Sequence, residues 1–311
     1  MADAYFNNAS NTGIDNPDNW WSDLSYTTPY GSVPDFTSGL TLQIGDGTTA
    51  ITCDNNSIGV FNSIFVVTAN STVNMNVSVD NNGTIYNNTG YIYINSTFNN
   101  YNQYIDTGTS YNFYGTVVNS GVAFSIGSNF YNYGAFTNNA ALVNTGTITN
   151  YSNIYNNSDI NNSGIIYNTS TFVNSNSMTN GNQVINTGTF TNDNTLINNG
   201  SFTNSSIFTT TKLFNNNSSI TNTGTITNGG ANFNNYGTVD NTGNSTISNL
   251  SAINNVGVFN LSDSSMYTTT PRATFNNTGR FAFGNKYSTS FRGDVFPQVP
   301  SSAAFGTAVI F

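Results

Sequence analysis

The chain has 311 residues, no His, no Glu, and a net charge of −9 with only five basic residues. Imidazole-based zinc or iron sites and Ser-His-Asp or Cys-His catalysis are therefore excluded. Lys212, Arg272, Arg280, Lys286 and Arg292 are too few to neutralise a phosphate backbone or an anionic lipid surface, so neither nucleic acid nor a membrane is an expected partner.

Charged residues make up 6% of the chain and Asn alone accounts for 60 positions. Asn, Gly, Ser and Thr are poor helix formers, and the good ones are scarce, so little helix is expected. The 23 Phe and 18 Tyr weigh against disorder. No apolar run approaches the ~18 residues of a membrane span. The opening MADAYFNNAS has neither the basic start nor the hydrophobic stretch of a secretory signal, so none is expected in the chain as given.

Residues 1–58 hold Trp20, Trp21, three Pro and seven of the fourteen Asp, and are expected to form an N-terminal cap or docking segment. Asp15, Asp18, Asp23 and Asp46 offer hard oxygen ligands for calcium, but their spacing matches no defined loop. Turn-forming Asp is the stronger expectation, and no cofactor or metal is assigned. The single cysteine, Cys53, allows no intrachain disulfide and reads as a small buried hydrophobe.

Residues 59–261 carry a repeat and read as a shaft. Val73, Val79 and Ile85 are in step by six. One-residue slips place Ile92 and Phe98, then Ile105, Tyr111 and Val117. From Phe124 every sixth residue to Ile226 is large and apolar, eighteen positions in all. At the background apolar frequency that arises by chance on the order of once in 10⁸. Two residues after each apolar position, from 132 to 228, sixteen of seventeen residues are Asn: Asn132, Asn138, Asn144, Asn150, Asn156, Asn162, Asn168, Asn174, Asn180, Asn186, Asn192, Asn198, Asn204, Asn216, Asn222 and Asn228, with Thr210 the exception. Downstream, Phe233 and Val239, then Ile247, Ile253 and Phe259 continue the frame after small insertions, and Phe275 and Phe281 suit one further partial coil.

Strand alternation points each apolar residue and its Asn to the same side. Six residues then make a short strand and a corner. The hexads group in threes: NYGAFTN, NYSNIYN, NTSTFVN and NTGTFTN recur every eighteen residues from position 132. The pattern predicts an all-β, single-stranded parallel β-helix (β-solenoid) of triangular section, with about 18 residues per coil. Corner Asn side chains would stack into a ladder and satisfy one another. About ten coils at ~4.8 Å would give a rod near ~50 Å long. Residues 262–311 hold four of the five basic residues and three Pro, and end on the apolar SSAAFGTAVIF. They are expected to form a C-terminal cap or docking segment, since open solenoid ends expose strand edges.

These hexads in threes resemble the hexapeptide-repeat left-handed β-helix proteins, and the resemblance favours that hand slightly, although right-handed solenoids also use Asn ladders. The corner Asn is more regular here than in those proteins, and many core positions are Phe. Many members are His-dependent acyltransferases, and this chain has no His, so the architecture carries over without the enzymology. The N-terminal NNASNTGIDNPDNWWSD and LTLQIGDGT are similar to the entry of Asn- and Gly-rich β-solenoids of the virion-fibre and surface-adhesin type. That resemblance implies a structural, host-attachment or decorating role.

Catalysis is not expected. Between residues 92 and 260 the only charges are Asp106, Asp159, Asp193, Lys212 and Asp240, and Asp159 and Asp193 are spaced too far along the axis for a retaining glycosidase pair. Trp20, Trp21, Tyr131 and Tyr167 are candidate glycan contacts, because aromatic faces stack on sugars. Outward Thr-x-Thr pairs (Thr147 with Thr149, Thr189 with Thr191, Thr225 with Thr227) raise ice binding, but Ala135, Asn153, Tyr155, Ile165 and Gln183 interrupt the candidate faces.

The expected function is a non-catalytic structural rod on a virion or extracellular cell surface. A carbohydrate-binding adhesin is the alternative, and a polysaccharide-degrading solenoid enzyme or an ice-binding protein ranks below it. Expected partners are further copies of the chain (a lateral trimer or an axial stack), other virion or surface proteins through the end segments, and host glycans.

Overall fold

The computed structural model describes residues 2–7, 13–112, 115–230, 232–262, 266–269, 273–283 and 291–292. It comprises two compact units, residues 1–160 and 161–311. Each is a parallel β-solenoid with three sheets, to which every coil contributes one short strand per sheet.

In the first unit, Thr84–Asn87, Tyr91–Ile94 and Phe98–Asn100 make one coil. Gln103–Asp106, Thr109–Asn112 and Thr116–Asn119 make the next, each paired in parallel with the strand one coil before it. Second and fourth strand residues face inward and the others outward, which follows from two-residue alternation. Large apolar residues at the second position fill the centre. Phe124, Phe130 and Phe136 reach in from the three sheets with ring centroids 5.7, 5.3 and 5.6 Å apart pairwise. The four-residue strands are too short to be stable alone, so burial of this stack against neighbouring coils holds them.

Coil stacking begins inside residues 1–58, the segment expected as a cap. Thr41–Ile44 and Ile51–Asn55 already pair in parallel with Ile64–Val67 and Ser71–Met75. Ala4–Phe6 adds in parallel to Thr41–Ile44, and Trp20–Trp21 runs antiparallel on its far side. A two-residue antiparallel strand with bulky side chains offers a poor template to another chain, which is how a sheet edge is kept from aggregating.

In the second unit the eighteen-residue coil is regular. Thr171 pairs with Thr189, Thr189 with Ile207, and Ile207 with Thr225. Phe172 and Phe190 stack at 4.6 Å, almost parallel at 6°. Two residues before the apolar position the chain carries mostly Gly, Ser, Ala or Asn, and smallness has a steric reason at Gly188, where a Cβ would fall 2.2 Å from the Ser170 carbonyl oxygen and 2.6 Å from its nitrogen. At Gly181 the nearest such atom, the Asn162 carbonyl oxygen, is 3.3 Å away. Gly188→Ala is therefore expected to cost about 1–3 kcal/mol through overpacking, and Gly181→Ala much less, as the difference between their urea unfolding midpoints would show.

Two positions in the expected frame are corrected. Tyr104 and Ser110, not Ile105 and Tyr111, take the inward places: Tyr104 and Ser110 are fully buried, while Ile105 is half-buried on the outside. Corner insertions stretch this coil, so that Ile85 pairs with Tyr104 and Ser110 with Phe130. Apolarity alone could not locate the slip, because Tyr104 and Ile105 are both apolar neighbours. The other expected core positions from Val73 to Phe275 are buried, Phe281 is half-buried, and Cys53 lies fully inside. Most of residues 262–311, including Arg272, Lys286 and SSAAFGTAVIF, lies outside the described residues.

Candidate functional site

The Asn residues form hydrogen-bonded ladders along the coils. In the second unit, Nδ2 of Asn162 donates to Oδ1 of Asn180, and the same bond repeats from Asn180 to Asn198, Asn198 to Asn216, Asn216 to Asn235, Asn235 to Asn255 and Asn255 to Asn277, at 2.7–2.8 Å. A second ladder runs through Asn168, Asn186, Asn204, Asn222 and Asn241 at 2.6–2.8 Å. In a third, Asn174 donates to Asn192 and Asn192 to the Thr210 hydroxyl at 3.1 Å, while Asn228 donates to Asn249. In the first unit Asn81, Asn100, Asn119, Asn138 and Asn156 form one ladder and Asn132 donates to Asn150. Asn144 is buried in register with Ile126.

Each amide also ties down its corner. Asn174 Nδ2 reaches the Asn176 carbonyl two residues on, and the Thr195 carbonyl of the next coil, both at 2.9 Å. In these inward ladders the donor belongs to the earlier coil, so the amide dipoles align and each bond polarises the next. Ladders have a cost where they begin. Phe61 and Val67 occupy the ladder positions below Asn81 and Asn87, and Oδ1 of each of these two Asn has no hydrogen-bond partner.

One ladder position holds a carboxyl group. Asp106 is fully buried, accepts from Asn87 Nδ2 at 2.7 Å and from the Gly108 amide at 3.1 Å, and faces Ile126 in the next coil. Its Oδ2 has no partner. Burial pushes its carboxyl up to about 7, against smaller opposing effects of Ser110, Asn87 and Gly108. Beside it the Tyr104 and Ser110 hydroxyls share a 2.6 Å hydrogen bond.

The glycan candidates fall in different surroundings. Trp20 is completely buried, edge-on to Phe6 at 5.3 Å and to Phe36 at 5.6 Å, and its indole N–H donates to the Ile14 carbonyl. It is a core residue of the N-terminal segment and offers no face to a sugar. Trp21 is half-buried, edge-on to Tyr26 at 6.3 Å. Tyr26 sits at φ 54°, a conformation a non-glycine residue adopts at a cost. Tyr131 lies on an outer face of the first unit, in register with Tyr111 and, one coil earlier, Tyr93. Tyr167 is an outward residue of the second unit, beside Ile185.

The sequence reading passed over Tyr133 and Tyr151. Their rings stack at 4.6 Å and 12° on one corner of the first unit, both more than 40% exposed. Partial burial and the nearby Tyr151 and Tyr131 phenols hold the Tyr133 hydroxyl above its ordinary pKa. The signal was present in the segments NYGAFTN and NYSNIYN, which place Tyr at the same corner one coil apart.

The Asp side chains considered for calcium serve turns where their bonding is seen. Asp23 accepts from the Ser25 hydroxyl and the Thr27 and Thr28 amides, and these bonds hold its carboxyl well below the usual range. Asp46 accepts from the Thr48 and Thr49 amides, which lower it to about 2. Among the described residues no three metal-ligating side chains cluster. Compared with family models, curated proteins and solved structures, the chain matches none of them.

Proposed function

We propose that the chain is a non-catalytic structural component displayed on a virion or cell surface, as part of a fibre, a decoration or an attachment device. The aligned Asn ladders carry this reading. They commit a column of fully buried amides to tying coil to coil. A ladder with phenyl stacks beside it makes a stiff, nearly uncharged element, suited to spacing or presenting a surface. The composition supports the same reading, because without His or Glu few groups could move protons. Peptide mass spectrometry and antibody labelling of purified particles and washed cells test it. An abundant, externally labelled component is expected, and a purely free soluble protein would overturn the reading.

A glycan-binding role is the second reading, favoured by the exposed Tyr133–Tyr151 stack beside Tyr131. Stacked phenols offer a flat apolar face with hydroxyls at its edge, which suits the C–H face of a sugar ring. Tyr151→Ala is expected to abolish retention on a glycan array while leaving circular dichroism unchanged, since the side chain is outside the core. Equal retention by the variant would remove this site.

A further inference from the structure

In the second unit, the sheet that begins with Thr171–Asn174 carries β-branched side chains at nine of ten successive outward positions, Ser248 being the exception. One outward column runs Thr171, Thr189, Ile207, Thr225, Thr246. The other runs Val173, Thr191, Thr209, Thr227, Ser248. None of these ten positions is charged. The interruptions anticipated from sequence lie elsewhere: Ala135, Asn153 and Tyr155 belong to the first unit, and Ile165 and Gln183 to another sheet of the second.

The other two sheets of this unit differ in chemistry. One carries Asn215, Asn234, Asn254 and Asn276 on its outside, bonded to one another at 2.8 Å. The other is mixed, with Ile165, Tyr167, Gln183 and Asp240 facing out. Only the Thr sheet keeps both columns to Thr, Ser, Val and Ile over five successive coils; the mixed sheet also carries Ser219, Thr221 and Thr238, but Gln183, Tyr167 and Asp240 break its columns.

Geometry then specifies the ligand. Parallel strands in register repeat every ~4.8 Å, and alternate residues along a strand are ~6.6 Å apart. The two columns therefore form a rectangular grid of hydroxyls and methyls, about 20 Å long over five coils. The grid is stiff, since nine of its ten side chains are half-buried against one another and Thr and Val have restricted χ1. Little ordering entropy is left to lose on binding. A neutral, doubly periodic surface cannot select a charged or irregular ligand. It suits a solid that is itself a periodic array of hydrogen-bonding groups at similar spacing, namely the ice lattice. Methyl groups would sit between lattice waters while hydroxyls continue the hydrogen-bond net.

We propose that this sheet of the second unit binds ice, with the Thr191, Thr209 and Thr227 column at its centre. The test uses the full chain in a nanolitre osmometer, together with capture of fluorescently labelled protein on a growing ice surface. The wild type is expected to facet ice crystals, hold a freezing gap and coat the surface. Thr209→Tyr, which breaks the plane from outside the core, is expected to lose all three while its thermal unfolding stays unchanged. Thr203→Tyr, on another sheet, should keep them. A wild type that neither shapes nor coats ice would overturn the proposal, as would a Thr209→Tyr protein that still does both. A wild type that sediments as a dimer without binding ice, and becomes monomeric as Thr209→Tyr, would overturn it by assigning the face to a second copy of the chain.

Discussion

Replacing Asn198 with Ala is expected to lower the stability of the second unit by about 3 kcal/mol, read as a drop in the urea midpoint followed by circular dichroism. Asn198 is fully buried in the middle of a ladder, accepting from Asn180 and donating to Asn216 Oδ1 and the Ser219 carbonyl. Alanine removes all of these, leaves the Asn216 Oδ1 and the Ser219 carbonyl without that donor, and opens a small cavity. Asn180 loses less, because its Nδ2 keeps the Ser201 carbonyl at 3.0 Å. Asn198→Thr should cost distinctly less than Ala, since Thr210 already shows a hydroxyl accepting from the Asn below it at 3.1 Å. Asn198→Asp should be the worst of the three at neutral pH, because it buries a charge where a neutral amide stood. An Ala variant with the wild-type midpoint would mean that the ladder contributes nothing net and that the aromatic core alone carries the unit.

How much of this was legible depends on corner length. From Phe124 to Ile226 the corners have constant length, so apolar residues and Asn keep one period and the frame can be read directly. Around Ile85 to Phe130 the corners lengthen, and a frame chosen by apolarity settled on Ile105 and Tyr111. Anchoring on Asn87, Asn100 and Asn119 would have placed Tyr104 inside and exposed Asp106 as a ladder member. The ladder itself was readable as a recurrence. Its one-way donor order was not, because an amide reads the same in either orientation. Trp20 shows a different limit, since two adjacent Trp fix neither which faces in nor that one seals the core. The Thr sheet was obscured because Ala135, Asn153 and Tyr155 precede its five coils in the chain, while Ile165 and Gln183 belong to another sheet.

Stability of the first unit is expected to fall between about pH 4 and pH 7, and replacing Asp106 with Asn should remove that fall. The ordinary carboxyl value is 3.8 and burial raises it to about 7 in the folded protein. In this window the folded state holds a proton that the unfolded state has released, so stability declines as pH rises. Below pH 4 both states are protonated and no penalty applies. Above pH 7 both are ionised and the full penalty is present, about 4 kcal/mol for a shift of about three units. Ile126 faces Asp106 from the next coil and offers its carboxylate no hydrogen bond, while Asn87 and Gly108 donate from their own sides. Asn at 106 would keep acceptance from Asn87. Its Nδ2 could bond the carbonyl two residues on, as Asn100 does with Asn102 at 3.0 Å. Urea midpoints of the full chain at pH 5, 6, 7 and 8 decide the matter. The wild type should lose stability across the series, and Asp106→Asn should stay level and exceed the wild type at pH 8. A wild type as flat as the variant would show that Asp106 ionises without cost, and that its place in the ladder is open to water.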